Sequence, residues 1–403
     1  MCVVFPSVSR LSEGDCSVRK PRERILHVIG GLVAGGAERS SKDLALAMKR
    51  AGYPVEYVSI TNRRDDVGES WAAQLRDEGI PIHVGPSPSL RVSTVWWLRG
   101  VLSRPDVRIV HLHLDYTEKA YFLSRFLHRR RYGILRKIHN TKLPTGFRRW
   151  VMDHSDVKVY YSCGEVAHEA YRGHVRGEQL LIPNGLLFDW ERNEVAKREE
   201  RKRLLGVDPE KAHFFHAGRF TADEGPMSQK AQAHLIDAWK RAEMGRRGAM
   251  LHFLGTGPGL ESHRAQAADD GSIVFHGVVA NVKGWLACAD AFVLPSRWEG
   301  LPLGGVEAVA SGIPCIFSDI KPNRELGSTV ASYFEVGDVP RLGELLVERL
   351  EHPIEASEED VAAMRDRWGI DRPMKMFLAL YDRLMPAPTG RASVIAGEAP
   401  CRS

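Results

Sequence analysis

The strongest constraint on the fold is an alternation of short β-rich runs with amphipathic stretches, which occurs twice along the chain. The first series starts with the runs 25–29 and 55–60, and stretches with the helical spacing of apolar residues lie between most of its runs. The second series starts again at 213–217 and continues through 250–254 and 291–294. Such alternation is typical of βαβ units around a mostly parallel sheet. The sequence therefore predicts an α/β protein with two doubly wound domains.

The segment boundaries follow from local composition. A turn-forming Ile-Pro-Asn-Gly string and a charged stretch at 191–203, which we interpret as an exposed linker helix, divide the 403 residues near their middle. The predicted segments are a loose tail (1–22), a first domain (23–190), a second domain (191–360), helices that cross back to the first domain (361–386) and a second loose tail (387–403).

Composition excludes several classes of protein. Hydrophobic residues make up 43% and charged residues 27%, which is ordinary for a globular chain and argues against disorder. The apolar runs fall far short of the roughly 20 residues that a membrane helix needs. The six cysteines form no C-x-x-C pair and the N-terminus lacks a secretory pattern, so we expect a cytoplasmic protein. A net charge of +5 is too small to indicate a nucleic-acid partner.

Two glutamates flank the most informative segment of the second half. An apolar strand ends at Leu294, a turn rich in glycine and proline follows, and a helix is predicted to begin near Leu303. Glu299 and Glu307 therefore lie just beyond the carboxyl end of a parallel strand, where such sheets bind ligands. Amides at the helix start favour an anion such as a pyrophosphate, while the carboxylates can accept hydrogen bonds from sugar hydroxyls. From spacing alone, the alternative is a solvated loop carboxylate and an ordinary first-turn carboxylate.

The segment 292–314 resembles a known family motif. Its strand, turn, two glutamates and trailing small-residue helix are similar to the E-x7-E segment of the retaining glycosyltransferases of the GT-B fold, family four (glycosyl transferases group 1). The resemblance implies two Rossmann-like domains that face a cleft. The first domain, 23–190, would then lie on the acceptor side, and the second domain, 191–360, would bind a nucleotide sugar.

The same resemblance implies roles for single residues of this segment. It makes Glu299 a catalytic residue that faces the donor sugar, and it makes Glu307 the residue that binds the ribose of the nucleotide. The family's nearby turn also supplies backbone amides to the donor, and in this sequence these amides would belong to Leu303 and Gly304.

Two basic residues follow the first strand of the second half. Arg219 comes directly after a His-Ala-Gly string, and Lys230 precedes the next predicted helix. At the carboxyl end of a strand they can neutralise the charge that grows on a leaving diphosphate. The family motif joins a glycine-arginine pair to a lysine by a short loop, whereas the loop 221–228 is longer and acidic here. We predict both residues as catalytic, and the alternative is a surface salt-bridging pair.

Two further loops after strands complete the predicted donor site. Gly255 and Thr256 lie in a glycine-rich turn that resembles the family's turn near the nucleotide, although short glycine clusters often merely permit tight turns. Val278 and Val279 occupy the next strand-following loop, where the family holds the base.

The first half offers fewer candidates. The loop with Gly35 and Gly36 lacks the G-x-G-x-x-G spacing, and no acidic residue ends the second strand, so we reject a dinucleotide site. The resemblance places this loop across the cleft from the donor, close to its phosphates. It also makes His139, at a strand end, a catalytic-site residue that touches the donor sugar, although a lone histidine is more often structural. His111 and His113 lie on one side of a strand, where one of them could reach the cleft, but a buried structural role is expected.

Metal and membrane expectations follow from what the sequence contains. No set of His, Cys and Asp has the spacing of metal ligands, and no D-x-D ends a plausible strand, so we predict a reaction without a metal or other cofactor. The basic stretch 129–149 carries eight Lys or Arg and no acidic residue. It is either a solvated face or a surface for anionic lipid or a phosphorylated acceptor.

The resulting hypothesis is a retaining glycosyltransferase of glycan or glycoconjugate biosynthesis. Its donor is expected to be a UDP- or GDP-linked sugar, and its acceptor a small molecule or a lipid-linked glycan. The hypothesis also includes peripheral contact with the inner face of an anionic membrane. It does not include binding of nucleic acid. The alternatives are a nucleotide-sugar epimerase or hydrolase on the same fold, or a catalytically silent nucleotide-sugar-binding subunit.

Overall fold

The computed structural model of the chain contains two parallel β-sheets with helices packed on them. It describes residues 24–125, 132–139, 142–188, 192–221, 228–279 and 281–385. The predicted tails 1–22 and 387–403, and residues 222–227 of the acidic loop, lie outside the described residues. The predicted α/β class with two Rossmann-like sheets is confirmed.

The first domain is built on seven parallel strands. These are β1 (Arg24–Ile29), β2 (Val55–Ser59), β3 (Ile82–Val84), β4 (Val107–Leu112), β5 (Gly133–Ile138), β6 (Val159–Ser162) and β7 (Glu178–Leu181). The helices that follow them are α1 (Gly36–Arg50), α2 (Asp66–Asp77), α3 (Val92–Leu102), α4 (Asp115–Arg125), α5 (Gly146–His154) and α6 (Glu165–Ala170). The strand order is β3-β2-β1-β4-β5-β6-β7, so the order reverses between β1 and β4. Ligands of such sheets bind beyond the carboxyl ends of the strands at this reversal.

The second domain repeats the arrangement with six strands. They are β8 (Ala212–Ala217), β9 (Ala249–Leu254), β10 (Ile273–Phe275), β11 (Ala291–Leu294), β12 (Cys315–Ser318) and β13 (Ala331–Phe334), in the order β10-β9-β8-β11-β12-β13. Its helices are α7 (Val195–Leu205), α8 (Gln232–Arg241), α9 (Leu260–Gln266), α10 (Val282–Ala287), α11 (Leu303–Ala310), α12 (Lys321–Arg324) and α13 (Val339–Glu351). Here the order reverses between β8 and β11. The loops after these two strands carry the predicted residues Arg219 and Glu299.

Each sheet is buried on both faces, as expected for parallel strands between layers of helices. Along β1, Ile25 and Ile29 pack in one apolar cluster, while Leu26 and Val28 pack in another on the opposite face. Side chains therefore alternate between two cores along one strand.

Two helices follow the second domain, α14 (Glu358–Trp368) and α15 (Asp371–Leu384). Helix α15 buries Phe377, Leu380 and Tyr381 in the apolar cluster of the first sheet. The last helix of the described chain thus completes the core of the first domain.

The expectation of an exposed linker helix at 191–203 is wrong in part. Helix α7 spans Val195–Leu205, and its Arg198 and Lys202 are buried. Both pair with Asp290, at 3.2 and 2.8 Å. The charged stretch therefore has one face bound to the second domain, because long basic side chains can bury their stems beside a carboxylate.

The two domains touch where their strand-following loops meet. An ideal Cβ on Gly36 would lie 3.3 Å from Leu303 Cδ1, and one on Gly164 would lie 2.6 Å from the Gly300 carbonyl oxygen. Away from these loops, Lys321 of α12 pairs with two glutamates of α6 at 3.1 and 3.2 Å. The cleft is therefore narrow at the loops that carry the predicted site.

Candidate active site

The turn after β11 holds two buried carboxylates at the start of α11. Glu299 is 7% exposed and Glu307 is 9% exposed, so neither is the solvated carboxylate of the alternative interpretation. Helix α11 begins at Leu303, as predicted, and among the described residues no side chain caps its N-terminus. The first-turn amides of Leu303 and Gly304 are therefore available for an anion.

Each of these carboxylates has a basic partner. Lys230 Nζ lies 2.6 Å from Glu299 Oε1, and Arg39 of α1 lies 3.3 Å from Glu307 Oε1. Burial raises the pKa of Glu307, and the nearby Arg39 charge opposes that rise. Both glutamates are thus held in place by cations before any ligand is bound.

The loops after β8 and β9 pack directly on each other. A Cβ on Gly255 would collide with the Gly218 carbonyl oxygen, and Gly255 has a φ of +136°, which favours glycine. The backbone of Phe220 donates to the Thr256 carbonyl oxygen at 3.1 Å. Glycine at 255 therefore brings the predicted nucleotide turn against the loop of Arg219.

Arg219 follows Gly218 in the chain, and Lys230 lies beside Gly218. The Arg219 side chain is exposed, and its carbonyl oxygen accepts a hydrogen bond from Gln232 at 3.1 Å. The Lys230 stem lies 3.4 Å from an ideal Cβ on Gly218. Lys230 is oriented by its bond to Glu299, whereas Arg219 is presented to solvent at the cleft.

The predicted base region is linked to the same loops by a backbone hydrogen bond. The amide of Gly255 donates to the carbonyl oxygen of Gly277 at 2.7 Å, one residue before Val278. Val278 is 43% exposed, and Val279 packs against the apolar cluster beneath α10. An exposed apolar side chain beside a glycine turn can cover one face of a flat ring.

His139 reaches the cleft from the first domain. Its carbonyl oxygen would lie 3.1 Å from a Cβ on Gly300, next to Glu299. Its Nε2 is buried and has no partner among the described residues. Burial holds the pKa of His139 well below its usual value, and the Lys137 charge adds to the effect. The imidazole is therefore neutral at pH 7 and has an unused nitrogen.

Gly35 and Gly36 open helix α1 on the same side of the cleft. Gly35 is the N-cap, and the carboxylate of Glu38 in the first turn lies against the position that a Cβ on Gly35 would take. Contact between Gly36 and Leu303 sets the start of α1 against the start of α11. The start of α1 is therefore next to a carboxylate, whereas no described side chain caps the start of α11.

Two family models match the chain. A model described as Glycosyl transferase 4-like domain matches residues 35–185, and a model described as Glycosyl transferases group 1 matches residues 211–352. Together they cover the loops of both domains that meet at the cleft.

Relatives and solved structures agree with these matches. EpsF of Bacillus subtilis (strain 168), which carries a glycosyltransferase assignment, is 26% identical over 322 residues, 74% of this chain and 79% of EpsF. An α-1,3-galactosyltransferase of Escherichia coli, named for UDP-Gal and α-D-GlcNAc-diphosphoundecaprenol, is 26% identical over 148 residues, 36% of this chain and 37% of that enzyme. The structure of Anabaena HepE in complex with UDP and glucose aligns with a TM-score of 0.74 at 14% identity, covering 90% of this chain and 100% of HepE.

The chain is a glycosyltransferase of the GT-B fold.

In this glycosyltransferase the structure also adds residues that the sequence analysis missed. Arg39 reaches Glu307 from the opposite domain. Lys137, which is 3% exposed, donates from Nζ to Ser40 Oγ at 2.7 Å, and burial lowers its pKa to about 8. A polar residue in the first turns of the helix after the glycine loop was the available signal for Arg39. For Lys137 the only signal was a lysine inside an apolar strand.

Three buried histidines of the first domain come together, although their spacing did not suggest metal ligands. Nitrogen atoms of His27, His111 and His113 all lie within 4.8 Å of one another. The rings of His111 and His113 are stacked at 4.1 Å and 21°. Both nitrogens of His111 also lie within 2.7 Å of tyrosine hydroxyls, and His27 Nδ1 lies 3.0 Å from His113 Nε2. These contacts engage four of the six ring nitrogens, and the absence of a required metal stays a prediction.

The basic stretch 129–149 is not one continuous basic face. Residues 129–131 and 140–141 lie outside the described residues. Arg136 and Lys137 are buried in β5, and Arg136 pairs with Glu118 at 3.1 Å. Arg148 and Arg149 pair with aspartates at 3.2 and 2.9 Å. The expectation of eight surface cations is therefore wrong for Arg136 and Lys137, because a parallel strand between two layers of helices is buried on both faces.

Helix α5 adds exposed aromatic rings near the end of that stretch. Phe147 and Trp150 are 49% and 46% exposed, and their rings stack at 5.7 Å. Lys119 lies 5.4 Å from the Phe147 ring centroid, and His154 stacks on Trp150 at 4.5 Å. We call Lys119, Phe147, Trp150 and His154 the aromatic patch. Within the described residues, no helix is both long and apolar enough to cross a bilayer.

Proposed function

We propose that this glycosyltransferase transfers a sugar from a UDP- or GDP-linked donor to an acceptor hydroxyl with retention of anomeric configuration and without a metal. The observation that carries the proposal is the meeting, at one cleft, of the uncapped start of α11, the Lys230–Glu299 pair and the exposed Arg219. Such a set offers positive groups to a diphosphate and carboxylates to sugars.

The proposed division of labour follows the chemistry of each group. The diphosphate binds the amides of Leu303 and Gly304, with Arg219 and Lys230 meeting the charge that develops as it leaves. Glu307 accepts hydrogen bonds from the ribose hydroxyls. Glu299, whose carboxylate is held by Lys230 at 2.6 Å, accepts hydrogen bonds from the donor sugar.

The other predicted donor contacts fit the same arrangement. Gly255 and Thr256 lie against the loop of Arg219, next to the proposed phosphates. Val278 and Val279 are assigned to the base. From the first domain, His139 contacts the sugar through its unpaired nitrogen, and Gly35 and Gly36 let the backbone approach the phosphates.

One route to retention is attack by the acceptor on the face of the sugar from which the nucleotide departs. In the proposed step, the bond from the anomeric carbon to the phosphate oxygen breaks as the bond to the acceptor oxygen forms. The departing phosphate takes the acceptor's proton. Arg219 and Lys230 stabilise the negative charge on that phosphate as it leaves.

Two relatives support the substrate classes. HepE has been solved with UDP and with UDP-glucose, which supports a uridine nucleotide as the donor carrier. The Escherichia coli galactosyltransferase is named for a sugar on diphosphoundecaprenol, which supports a lipid-linked glycan as acceptor.

The first experiment is a thermal-shift panel of nucleotides and nucleotide sugars, followed by a transfer assay. A ligand at 100 times its dissociation constant is expected to stabilise the enzyme by about 2.7 kcal/mol. With the best donor, a sugar-diphospho-alkyl acceptor and excess EDTA, we expect a product whose anomeric configuration, measured by NMR, matches that of the donor. A conservative test variant is Glu299→Gln, which keeps the shape of the side chain but loses its charge. This variant should slow transfer.

Other products would change the proposal. Free sugar without transfer would make the chain a hydrolase, and an altered sugar without acceptor would make it an epimerase. Binding without turnover of any donor would indicate a silent subunit. Loss of activity in EDTA that Mg²⁺ restores would overturn the metal-free route.

Peripheral membrane contact is the second part of the proposal. The aromatic patch places two exposed rings beside a lysine, a combination suited to the interface of an anionic bilayer. Co-sedimentation with anionic vesicles should be measurable at low salt and weaken at high salt, because exposed charges are screened. Phe147→Ser with Trp150→Ser should abolish it, whereas Met376→Ser, which alters an exposed apolar residue of α15, should not. Equal, negligible pelleting with anionic and neutral vesicles would favour a soluble acceptor.

A further inference from the structure

An ion pair joins helix α1 of the first domain to the proposed ribose site of the second. Arg39 Nη2 of α1 lies 3.3 Å from Glu307 Oε1 of α11. The same guanidinium bonds to Asp43, one turn further along α1, through Nε at 3.1 Å. The side chains of Arg39 and Glu307 are only 17% and 11% exposed. The pair therefore lies largely out of water, where it is screened little by salt.

Positive side chains from both domains act on Glu307. Lys42 also binds Asp43, at 2.8 Å, and the positive charges of Arg39, Lys283 and Lys42 all act to lower the pKa of Glu307. Arg39 and Lys42 belong to the first domain and Lys283 to the second. The cleft therefore presents positive charge to an anion at this point.

The backbone adds positive polarity at the start of α11. Gly36 at the start of α1 touches Leu303 at the start of α11, and no described side chain caps α11. Arg39 lies in the first turn of α1, so its guanidinium and the amides of α11 belong to segments that meet. A diphosphate suits such a place, because amides and a guanidinium fork both bind phosphate oxygens.

The free protein and the donor complex make competing demands on Glu307. In the free protein its Oε1 is occupied by Arg39. In the proposed complex the ribose hydroxyls need the same carboxylate as an acceptor. A guanidinium displaced from Glu307 keeps its bond through Nε to Asp43, so Nη2 is the atom that must turn to another acceptor.

We propose that Arg39 holds Glu307 in the free enzyme, is displaced from it by the ribose hydroxyls, and then binds the donor diphosphate from the first domain. This inference rests on the proposed function, because it assumes that a nucleotide sugar occupies the cleft. Arg39 is thus a residue of the acceptor-side domain that senses the donor. It links occupation of the ribose site to closure of both domains on the diphosphate.

The test separates the two halves of the ligand. The affinities of Arg39→Ala, Arg39→Lys and wild type are measured by calorimetry for a nucleoside and for the nucleoside diphosphate of the same base. In Arg39→Ala the nucleoside should bind as tightly as in wild type or more tightly, because the competing cation has gone. The nucleoside diphosphate should bind about tenfold or more weakly, since a charge-assisted hydrogen bond has been lost.

Two further variants control for structure. Arg39→Lys should recover part of the diphosphate affinity but not all, because the fork geometry is lost. Arg50→Ala removes a basic residue from the last turn of the same helix, where it pairs with Glu78 inside the first domain, and should leave both affinities unchanged. Thermal unfolding of the ligand-free variants checks that each is folded.

The outcomes distinguish this inference from the proposed function. If wild type binds the diphosphate but Arg39→Ala matches it for both ligands, or loses both equally, the inference is overturned and the proposed function stands. If wild type binds no nucleoside diphosphate at all, both fail. Opposite changes for the nucleoside and the diphosphate support the transfer of Arg39 from Glu307 to phosphate.

Discussion

The two domains share one topology but acquire their functional groups in different ways. In the second domain, Arg219, Glu299 and Glu307 all follow strands that flank the reversal of strand order. In the first domain, Arg39 and Lys137 gain their roles from contacts with residues far away in the chain. A short local motif can therefore predict the donor side of the cleft, whereas the facing side depends on how the domains pack.

The contrast extends to buried histidines. In the second domain, His213, His252 and His276 form a hydrogen-bonded row across three strands, with nitrogen distances of 2.7 and 2.9 Å. The row starts at a carbonyl oxygen of Asp208, which can only accept, so the proton positions along the row are set from that end. In the first domain, His111 is instead fixed by the hydroxyls of Tyr161 and Tyr381. The nitrogens of buried histidines thus find hydrogen-bond partners in both domains, but the partners differ.

The largest effect is expected in the second domain. Arg219→Ala should cost about 2.7–4 kcal/mol of transition-state stabilisation, by analogy with loss of one oxyanion donor, and Arg219→Lys should restore only part of it. The measurement is the turnover number and the Michaelis constant for the donor, determined for wild type and each variant. Arg246→Ala, which removes an exposed arginine paired with Glu243, is the control. Turnover of Arg219→Ala within threefold of wild type would mean that the phosphate is held elsewhere.

The next effect tests the first domain through Lys137. Its folded-state pKa of about 8 is below the usual value of 10.5, so the unfolded chain binds more protons between these pH values. Stability from this group therefore rises with pH between about 8 and 10.5, by up to about 3 kcal/mol at 1.36 kcal/mol per unit. Urea unfolding of wild type and Lys137→Met should show that difference, with Lys137→Met more stable below pH 8. Parallel curves for the two proteins would show that the ammonium is well solvated.

A smaller effect compares the histidine clusters. Burial lowers the pKa of His252 to about 3, so below pH 6.5 the unfolded chain binds a proton that the folded chain does not. Stability is therefore lost as pH falls through 6.5, by about 2 kcal/mol at pH 5 for this one residue. His252→Gln should remove that part of the pH dependence, and His27→Gln should do the same in the first domain, where the pKa is also lowered to about 3. Identical acid sensitivity in wild type and both variants would contradict neutral burial.

The smallest effect concerns the exposed contact between the domains. Lys321 pairs with Glu165 and Glu169, but all three side chains are about half exposed. Lys321→Ala should change stability by less than about 1 kcal/mol and leave donor affinity unchanged, in contrast to Arg39→Ala. A large loss of donor affinity in Lys321→Ala would show that any interdomain ion pair, rather than the Arg39 pair in particular, controls the cleft.

The sequence was sufficient for the layout of the fold and the donor-side loops, because both depend on local patterns. The strand, turn and helix around Glu299 and Glu307 lie where their spacing predicted them, and α11 begins at Leu303. The predicted roles of these residues in catalysis and binding stay predictions until the variants are measured.

The main errors of the sequence-based prediction concern the burial of charged residues. Arg136, Lys137, Arg198 and Lys202 were interpreted as surface cations, yet all four are buried. A run of basic residues normally predicts a solvated face, but each of these side chains meets a specific oxygen atom from a distant segment. Such partners, like the pairing of Arg39 with Glu307, arise only when the tertiary structure is formed.

Helix α15 has a consequence for the order of events during synthesis. Phe377, Leu380 and Tyr381 fill the core of the first domain, although the whole second domain is translated before them. On the ribosome, at about 5–20 residues per second, the first sheet must therefore wait with an uncovered apolar face until the last helix emerges. A nascent chain stopped before α15 would expose that face to chaperones, and the early half of this enzyme would reach its mature form last.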